Sequence, residues 1–290
     1  MTKIDHLYRV NQTLNIIHQN LAGDCSAKTL AAHAAFSEHY FHRVFKKTTG
    51  EPIHQYVRRT RLETAANHLI FSPELTVQQI AVSCGFHSLS SFTRAFKTVF
   101  SSTPGQWRMN KAFSDEYHYL SDPLIKSAYQ RLANTKLPTP NIVQLSPKTV
   151  AYLRHKGYGR DIAETWTSLR NWAVSEHRLT DEQIGVHHSN PAIVPLQDCH
   201  YVACLGIETD IARRGRISSA TIPGGLHAAF ELKGQYGELL PYISKIHGDW
   251  LPKSDFVIKT TPSFAKYKTN QFLSDDDLFE LTFYLPIESA

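Results

Sequence analysis

Sulfur is scarce in this sequence, with two methionines and four cysteines among 290 residues. Cys25, Cys84, Cys199 and Cys204 show no metal-ligand spacing, and a chain this long can bury a core without disulfides. All four are expected to be reduced and structural. Long apolar runs are missing too. No stretch of about 18 apolar residues could cross a bilayer, and the start MTKIDHLYRV lacks the apolar core of a secretory signal. The expectation is a cytoplasmic protein with no membrane partner. The glycines of IPGGLHAAF and HKGYG never assemble a phosphate-binding loop, so no nucleotide, other cofactor or metal is expected. What is present is length enough for two domains.

Charge separates them. Residues 1–112 hold 13 Lys or Arg against 6 Asp or Glu, whereas the remainder holds 18 against 20. The surplus of cations belongs to the N-terminal part and draws it toward polyanions.

That part is written twice. With Ser37 set against Ser88, SEHYFHRVFK falls on SLSSFTRAFK, pairing Phe41 with Phe92, Arg43 with Arg94, Phe45 with Phe96 and Lys46 with Lys97. Phe41, Val44 and Phe45, and again Phe92, Ala95, Phe96 and Val99, recur at three- and four-residue spacing, which predicts an amphipathic helix with one buried stripe in each copy. Ser37 and Ser88 are N-cap residues. Upstream, SAKTLAAHAAF and TVQQIAVSCGF each open on a cap, with Thr76 and Gln79 fitting a capping box, and close on a small residue before Phe. Gly85 takes a left-handed turn freely; Ala35, its counterpart, does so at a cost of about 1 kcal/mol. Helix, tight turn and second helix with a cationic outer face is the helix-turn-helix pattern. Between the copies, EPIHQYVRRTRLETAANHLIFS reads as a long spacer helix started by Pro52 and ended before Pro73, and STPGQWRMNKAF opens a closing helix at Thr103 and Pro104.

Ile80, Ala81, Gly85, Phe86, Ser91, Phe92, Arg94, Phe96, Lys97, Thr103, Pro104 and Arg108 fit in order the signature of the arabinose-regulator (AraC/XylS) family, over roughly residues 5–112. Departures are Ser101, where glycine is usual, and Trp107, where tyrosine is. The resemblance implies a domain that presses two recognition helices into successive major-groove segments about 10 base pairs apart. By position, Glu38, His39, His42 and Arg43 of the first helix, and Leu89, Ser90, Thr93 and Arg94 of the second, would face the bases. Arg bonds guanine bidentately, and Leu or Thr methyls touch thymine. Lys46, Lys47, Lys97 and Arg58 are phosphate partners. Arg43 and Arg94 could instead hold the spacer helix through ion pairs. Protonating His39, His42 and His87 near pH 6 would add positive charge toward DNA.

Residues 113–140 mix polar residues and prolines as a linker with one short helix would. Within 141–290 a second repeat appears: YLRHKGYGRDIAETWTSLRNW matches AFELKGQYGELLPYISKIHGDW, pairing Lys156 and Gly157 with Lys233 and Gly234, and Trp172 with Trp250. Each copy starts as a strand, passes a Gly-Tyr turn, continues as a helix and is followed by two strand-like segments. The fold class is therefore multidomain: an all-α part with two helix-turn-helix motifs joined by a long helix, then an α+β part of two strand–helix–strand–strand units with helices on one side of a curved sheet. The seam between such units makes a natural pocket.

LRHKGYG, WLPKSDF and the terminal LPI make 141–288 similar to GyrI-like (gyrase-inhibitor-like) effector-binding domains. The resemblance implies a cleft for a small molecule, aromatic-walled, with an acid two residues before a tyrosine. Here that stretch reads Phe264, Ala265, Lys266, Tyr267, and the acid is absent. The ligand would then be neutral or anionic, or Glu280 would substitute. Tyr152, Trp166, Tyr201, Phe230 and Tyr267 are candidate wall residues.

The whole reads as a regulator binding double-stranded promoter DNA, with a small-molecule effector or partner at the distal domain; activation would add a contact with RNA polymerase. Two alternatives stand beside it: a distal domain that only mediates protein contacts, and one that hydrolyses small molecules, as some relatives do, through His155, Glu231 or Glu280 as acid or base.

Overall fold

Side-chain caps start the helices of the N-terminal part. Ser26 Oγ accepts from the Thr29 N–H ahead of α2 (Ala27–His33), Ser37 Oγ from Tyr40 ahead of α3 (Glu38–Thr49), and Ser88 Oγ from Ser91 ahead of α6 (Leu89–Phe100). Thr76 and Gln79 close a capping box on α5 (Val77–Ser83). The spacer is α4 (Ile53–Phe71), 19 residues or about 28 Å, and α7 (Pro104–Asn110) follows α6. A helix that the patterns above leave out, α1 (Lys3–Gln19), precedes them all; Val10, Leu14 and Ile17, buried at four- and three-residue spacing, are its signal. The computed structural model describes residues 3–110, 123–178, 180–190, 193–209, 211 and 216–289. These fall into two units, Met1–Phe113 with Ile211–Ala220, and Ser114–Asp210 with Thr221–Ala290.

In the first unit Phe41, Phe45, Phe92 and Phe96 are fully buried. Val99 is a correction: it is 50% exposed. The last turn of α6 runs past the core, and Phe100 rather than Val99 packs there, against Phe96 and Trp107 at centroid distances of 4.6 and 4.8 Å. Three arginines tie the spacer down. Arg59 pairs with Glu51 (2.7 Å) and Glu63 (3.0 Å). Arg61 donates to the Leu21 and Gly23 carbonyls, and Arg108 of α7 to those of Leu69 and Leu75.

Both helix-turn-helix turns use the left-handed region: Ala35 has φ 51° and Gly85 φ 80°. A Cβ on Gly85 would also stand 2.7 Å from the Leu21 carbonyl oxygen and from the Arg61 guanidinium, so this turn needs glycine twice over. The C-caps of α3 and α6 are left-handed too, Gly50 at φ 85° and Ser101 at φ 54°.

In the second unit α8 (Pro123–Leu132), from the stretch read as a linker, buries Ile125, Ala128 and Leu132. Its Arg131 bonds Glu238 and its Tyr129 bonds Ser244, which seats it beside α10 (Leu239–Lys245). The described strands are β1 (Asn141–Leu145), β2 (Lys148–Lys156), β3 (Gln183–His187), β4 (His200–Gly206), β5 (Ser218–Ile222), β6 (Gly225–Gln235), β7 (Phe256–Ile258), β8 (Ser263–Thr269) and β9 (Leu278–Ser289), with α9 (Ile162–Ser175) after β2. The path β1-β6-β9-β8-β3-β4-β2 is antiparallel throughout, and β7 pairs with the end of β9. Read as units, β2–α9–β3–β4 is answered by β6–α10–β8–β9. They join where β3 meets β8, Gly185 facing Ala265. In the second copy the left-handed turn glycine is Gly237 (φ 92°), not Gly234, because β6 runs on through Gln235.

The turn geometry predicts opposite signs for glycine exchanges. Ala35→Gly and Ser101→Gly each relieve left-handed strain and should add roughly 0.5–1 kcal/mol, whereas Gly85→Ala meets strain and a backbone oxygen and should cost about 2 kcal/mol. Urea unfolding midpoints measure all three; a Gly85→Ala variant as stable as the parent would refute the assignment.

A second prediction follows from His68, 4% exposed in α4, its Nδ1 3.2 Å from Ser72 Oγ. Burial pushes its imidazole down to about 4, so the folded chain holds it neutral where the unfolded chain is protonated below about 6.5. Its stabilising contribution is complete above pH 6.5 and is lost as the pH falls from 6.5 to 4, up to about 3 kcal/mol. Comparing denaturation at pH 7.5 and 5 for the parent and His68→Leu should show a shallower pH dependence in the variant.

Candidate DNA-contact face and effector cavity

With the four phenylalanines turned inward, the outer faces of α3 and α6 are fixed. Glu38, His39, Arg43, Lys46 and Lys47 are exposed on α3 and His42 is half-buried; Leu89, Ser90, Arg94 and Lys97 are exposed on α6 and Thr93 is half-buried. The two half-buried residues occupy the same place in the repeat. Arg58 is exposed on the spacer and His87 in the second turn. Leu89 keeps 44% of its surface at the start of α6, an apolar group held out among hydroxyls.

Cations here divide into two kinds. Arg59, Arg61 and Arg108 are spent on the fold. Among the described residues, the side chains of Arg58, Arg94, Lys46, Lys47 and Lys97 make no hydrogen bond or ion pair, and Arg43 only rests over the Tyr40 ring at 4.9 Å. The spacer helix is therefore held without Arg43 or Arg94, and both guanidiniums have unused donors.

The distal unit encloses a cavity above the β3/β8 seam. Its volume is about 60 Å³, and about 530 Å³ of empty space is reached only when the open mouth is included; small-molecule sites run to roughly 300–1,000 Å³, so a ligand must widen it. Tyr158, Ile162, His187 and Tyr201 line it from the first repeat, Tyr236, Leu239, Leu240, Ile243, Gln271 and Phe272 from the second, and Ile125 from α8. Tyr158 donates to the Ser189 carbonyl at 2.8 Å. The His187 ring stands edge-on to Tyr158 and Tyr201, with centroids at 5.7 and 5.4 Å. Burial lowers the His187 pKa to about 4, so the ring is neutral.

Of the six candidates from sequence, Tyr201 alone lines this cavity. Trp166 Nε1 donates to Tyr201 Oη at 3.2 Å and Tyr267 Oη lies 3.3 Å from it, so these two support the Tyr201 phenol from behind. A Cβ at Gly185 would overlap that phenol; the small residue makes its room. Tyr152 is 1% exposed and pairs across the ladder with Cys204, so strand alternation turns it to the face opposite Tyr201. Phe230 is fully buried against Trp250, 5.2 Å between centroids. Glu280 lies between buried Phe279 and Leu281 and so points to the other face, where Lys268 (2.7 Å) and Lys233 (3.2 Å) hold its carboxyl below the usual range, hydrogen bonds first and their charges after. It does not replace the missing acid at Ala265.

Tyr158, Tyr236, Phe272, His187 and Gln271 were not among the sequence candidates. The signal for the first pair was present: the Tyr-Gly dipeptides 158–159 and 236–237 occupy matching places in the repeat. Of the hydrolytic candidates, His155 faces Thr165 (2.9 Å) and Asp161 (3.4 Å), and Glu231 accepts from Thr282 (2.8 Å); neither lines the cavity. Among the described residues no helix is long and apolar enough to cross a membrane, and no group of His, Cys, Asp and Glu is placed to hold a metal ion.

Known proteins resemble the two parts separately. Residues 30–110 match a helix-turn-helix domain family and residues 138–288 the GyrI-like small molecule binding domain family. The transposon Tn10 TetD protein of Escherichia coli is 36% identical over 111 residues, which are 38% of this chain and 80% of that protein. The HTH-type transcriptional activator AarP of Providencia stuartii is 32% identical over 101 residues, 35% of this chain and 74% of that one. The Msm operon regulatory protein of Streptococcus mutans is 29% identical over 99 residues, 34% of this chain, and the match spans only 35% of its length. The capped double helix-turn-helix, the duplicated sheet and these matches agree: the chain belongs to the AraC-type DNA-binding transcriptional regulators that carry a GyrI-like domain.

Proposed function

We propose that this regulator reads two adjacent major-groove segments of promoter DNA with α3 and α6 and acts as a cytoplasmic activator whose distal cavity takes a small-molecule effector. The observation that carries the reading is the division of the cations. The arginines that build the fold are bonded within it, and those on the outer faces of the two recognition helices are left with unused donors. Arg43 and Arg94, with Glu38, His39, His42, Leu89, Ser90 and Thr93, supply base contacts; Lys46, Lys47, Lys97 and Arg58 supply phosphate contacts that weaken with salt. The distal unit binds rather than reacts, because its cavity brings no acid–base pair together. An effector acts by binding the DNA-competent and incompetent states with different affinity. As an activator the chain would also touch RNA polymerase.

Arg94→Ala tests the base-reading half. On the best operator it should lose about 1–3 kcal/mol, while binding to random DNA is nearly unchanged. Salt-matched titrations of both DNAs measure it, and equal loss on the two would make Arg94 a phosphate anchor instead.

A further inference from the structure

The cavity over the β3/β8 seam has an unusual charge inventory. Among the described residues its lining holds no Asp or Glu and no Lys or Arg. The carboxylates flanking it are already used. Glu238, next to Gly237, accepts from Arg131 at 2.8 Å and from the Gln235 N–H at 2.9 Å. Asp277 takes two bonds from Arg160, at 2.7 and 2.8 Å, and that guanidinium lies 4.4 Å from the Tyr236 ring centroid. An organic cation entering here would lose its hydration and meet no unneutralised carboxylate, and Tyr236 already carries a cation against its ring. An anion would find no lysine or arginine on the wall.

Two polar atoms in the same lining lack partners. His187 Nε2 and Gln271 Oε1 have no hydrogen bond in the chain and are closed off from solvent, the cavity's own space included, so a ligand reaches them once these two side chains turn toward it. Gln271 is only 6% exposed, and its amide reaches the Tyr267 hydroxyl, so whichever way the amide turns, one end is left over. Leaving such atoms unsatisfied destabilises the chain, and a partner that pairs them recovers this. The neutral His187 offers a donor or an acceptor by tautomer, and Gln271 an acceptor or a donor by orientation. A single group that both donates and accepts serves either arrangement.

We propose that the cavity takes an uncharged, largely apolar or aromatic molecule bearing a hydroxyl or amide group, which bonds His187 Nε2 and the free end of Gln271 while its body packs against Tyr158, Tyr201, Tyr236 and Phe272. The inference rests on reading the cavity as the effector site and adds the class of effector.

Three probes of one shape separate the possibilities: 2-naphthol, 2-naphthyltrimethylammonium and 2-naphthoate, titrated into the full chain at pH 7.5 by calorimetry and by melting temperature. 2-Naphthol should bind at least about 10-fold tighter than either charged analogue. His187→Leu and Gln271→Leu should each weaken it about 5- to 10-fold, and His187→Leu should do so without lowering the melting temperature of the unliganded chain, since it removes an unsatisfied polar atom. Tightest binding by the ammonium, abolished by Tyr236→Ala, would overturn the neutral-ligand inference and leave the effector-site reading standing. Undiminished 2-naphthol affinity in the His187→Leu, Gln271→Leu double variant would overturn the inference as well. No binding by any of the three would overturn both.

Discussion

Burial of Phe41, Phe45, Phe92 and Phe96 is the constraint from which the rest of the DNA-binding unit follows. A 12-residue helix presents one face to a core and the other to water, so anchoring two phenylalanines of each copy decides which residues look out. Arg43 and Arg94 face outward because their neighbours in sequence cannot. Each ring is worth a few kcal/mol buried, more than any single surface contact. Neither α3 nor α6 can therefore rotate without losing core. The spacer is held by arginines bonded to backbone carbonyls and to Glu51 and Glu63, so the outer cations play no part in positioning it.

The distal unit obeys a different periodicity. Neighbouring residues of a strand face opposite sides, and this rule separates Tyr201, on the cavity side, from Tyr152 and Glu280, on the other. Gly185 and Ala265, facing each other at the join of the two repeats, are small where a side chain would fill the site. Tyr201 occupies that room, steadied by Trp166 and Tyr267. The cavity lies beside that phenol, walled by Ile162, Leu239, Leu240 and Ile243 from the helical side.

Much of the helical unit was legible in the sequence because its signals are local: serine caps, a Thr-x-x-Gln box, glycine in a left-handed turn, and phenylalanines three and four apart. Even there Val99 was misassigned, since periodicity says which side a residue faces but not where the core beneath it ends. The order of strands was legible only as a repeated pattern. The cavity was least so. Of six residues named for it, one lines it, because aromatic residues in a strand look alike in sequence whether they end in the core or at a wall, and only register tells them apart. Gln271 and Phe272 lie between β8 and β9, beyond the reach of any strand pattern.

Both units are duplications whose copies have kept their scaffold and diverged on their outward and cavity-facing positions. In the first, caps, turns and phenylalanines agree between copies, while His42 answers Thr93 and Glu38 answers Leu89. The two outer faces therefore offer different donors, acceptors and apolar groups and are not equivalent surfaces. In the second, Tyr158 and Tyr236 repeat, but His187 and Gln271 come from different structural contexts, one at the end of a strand and one in a loop. A symmetric cavity would favour a symmetric ligand or bind an asymmetric one in two poses. Unlike polar groups beneath like aromatic walls would favour one pose.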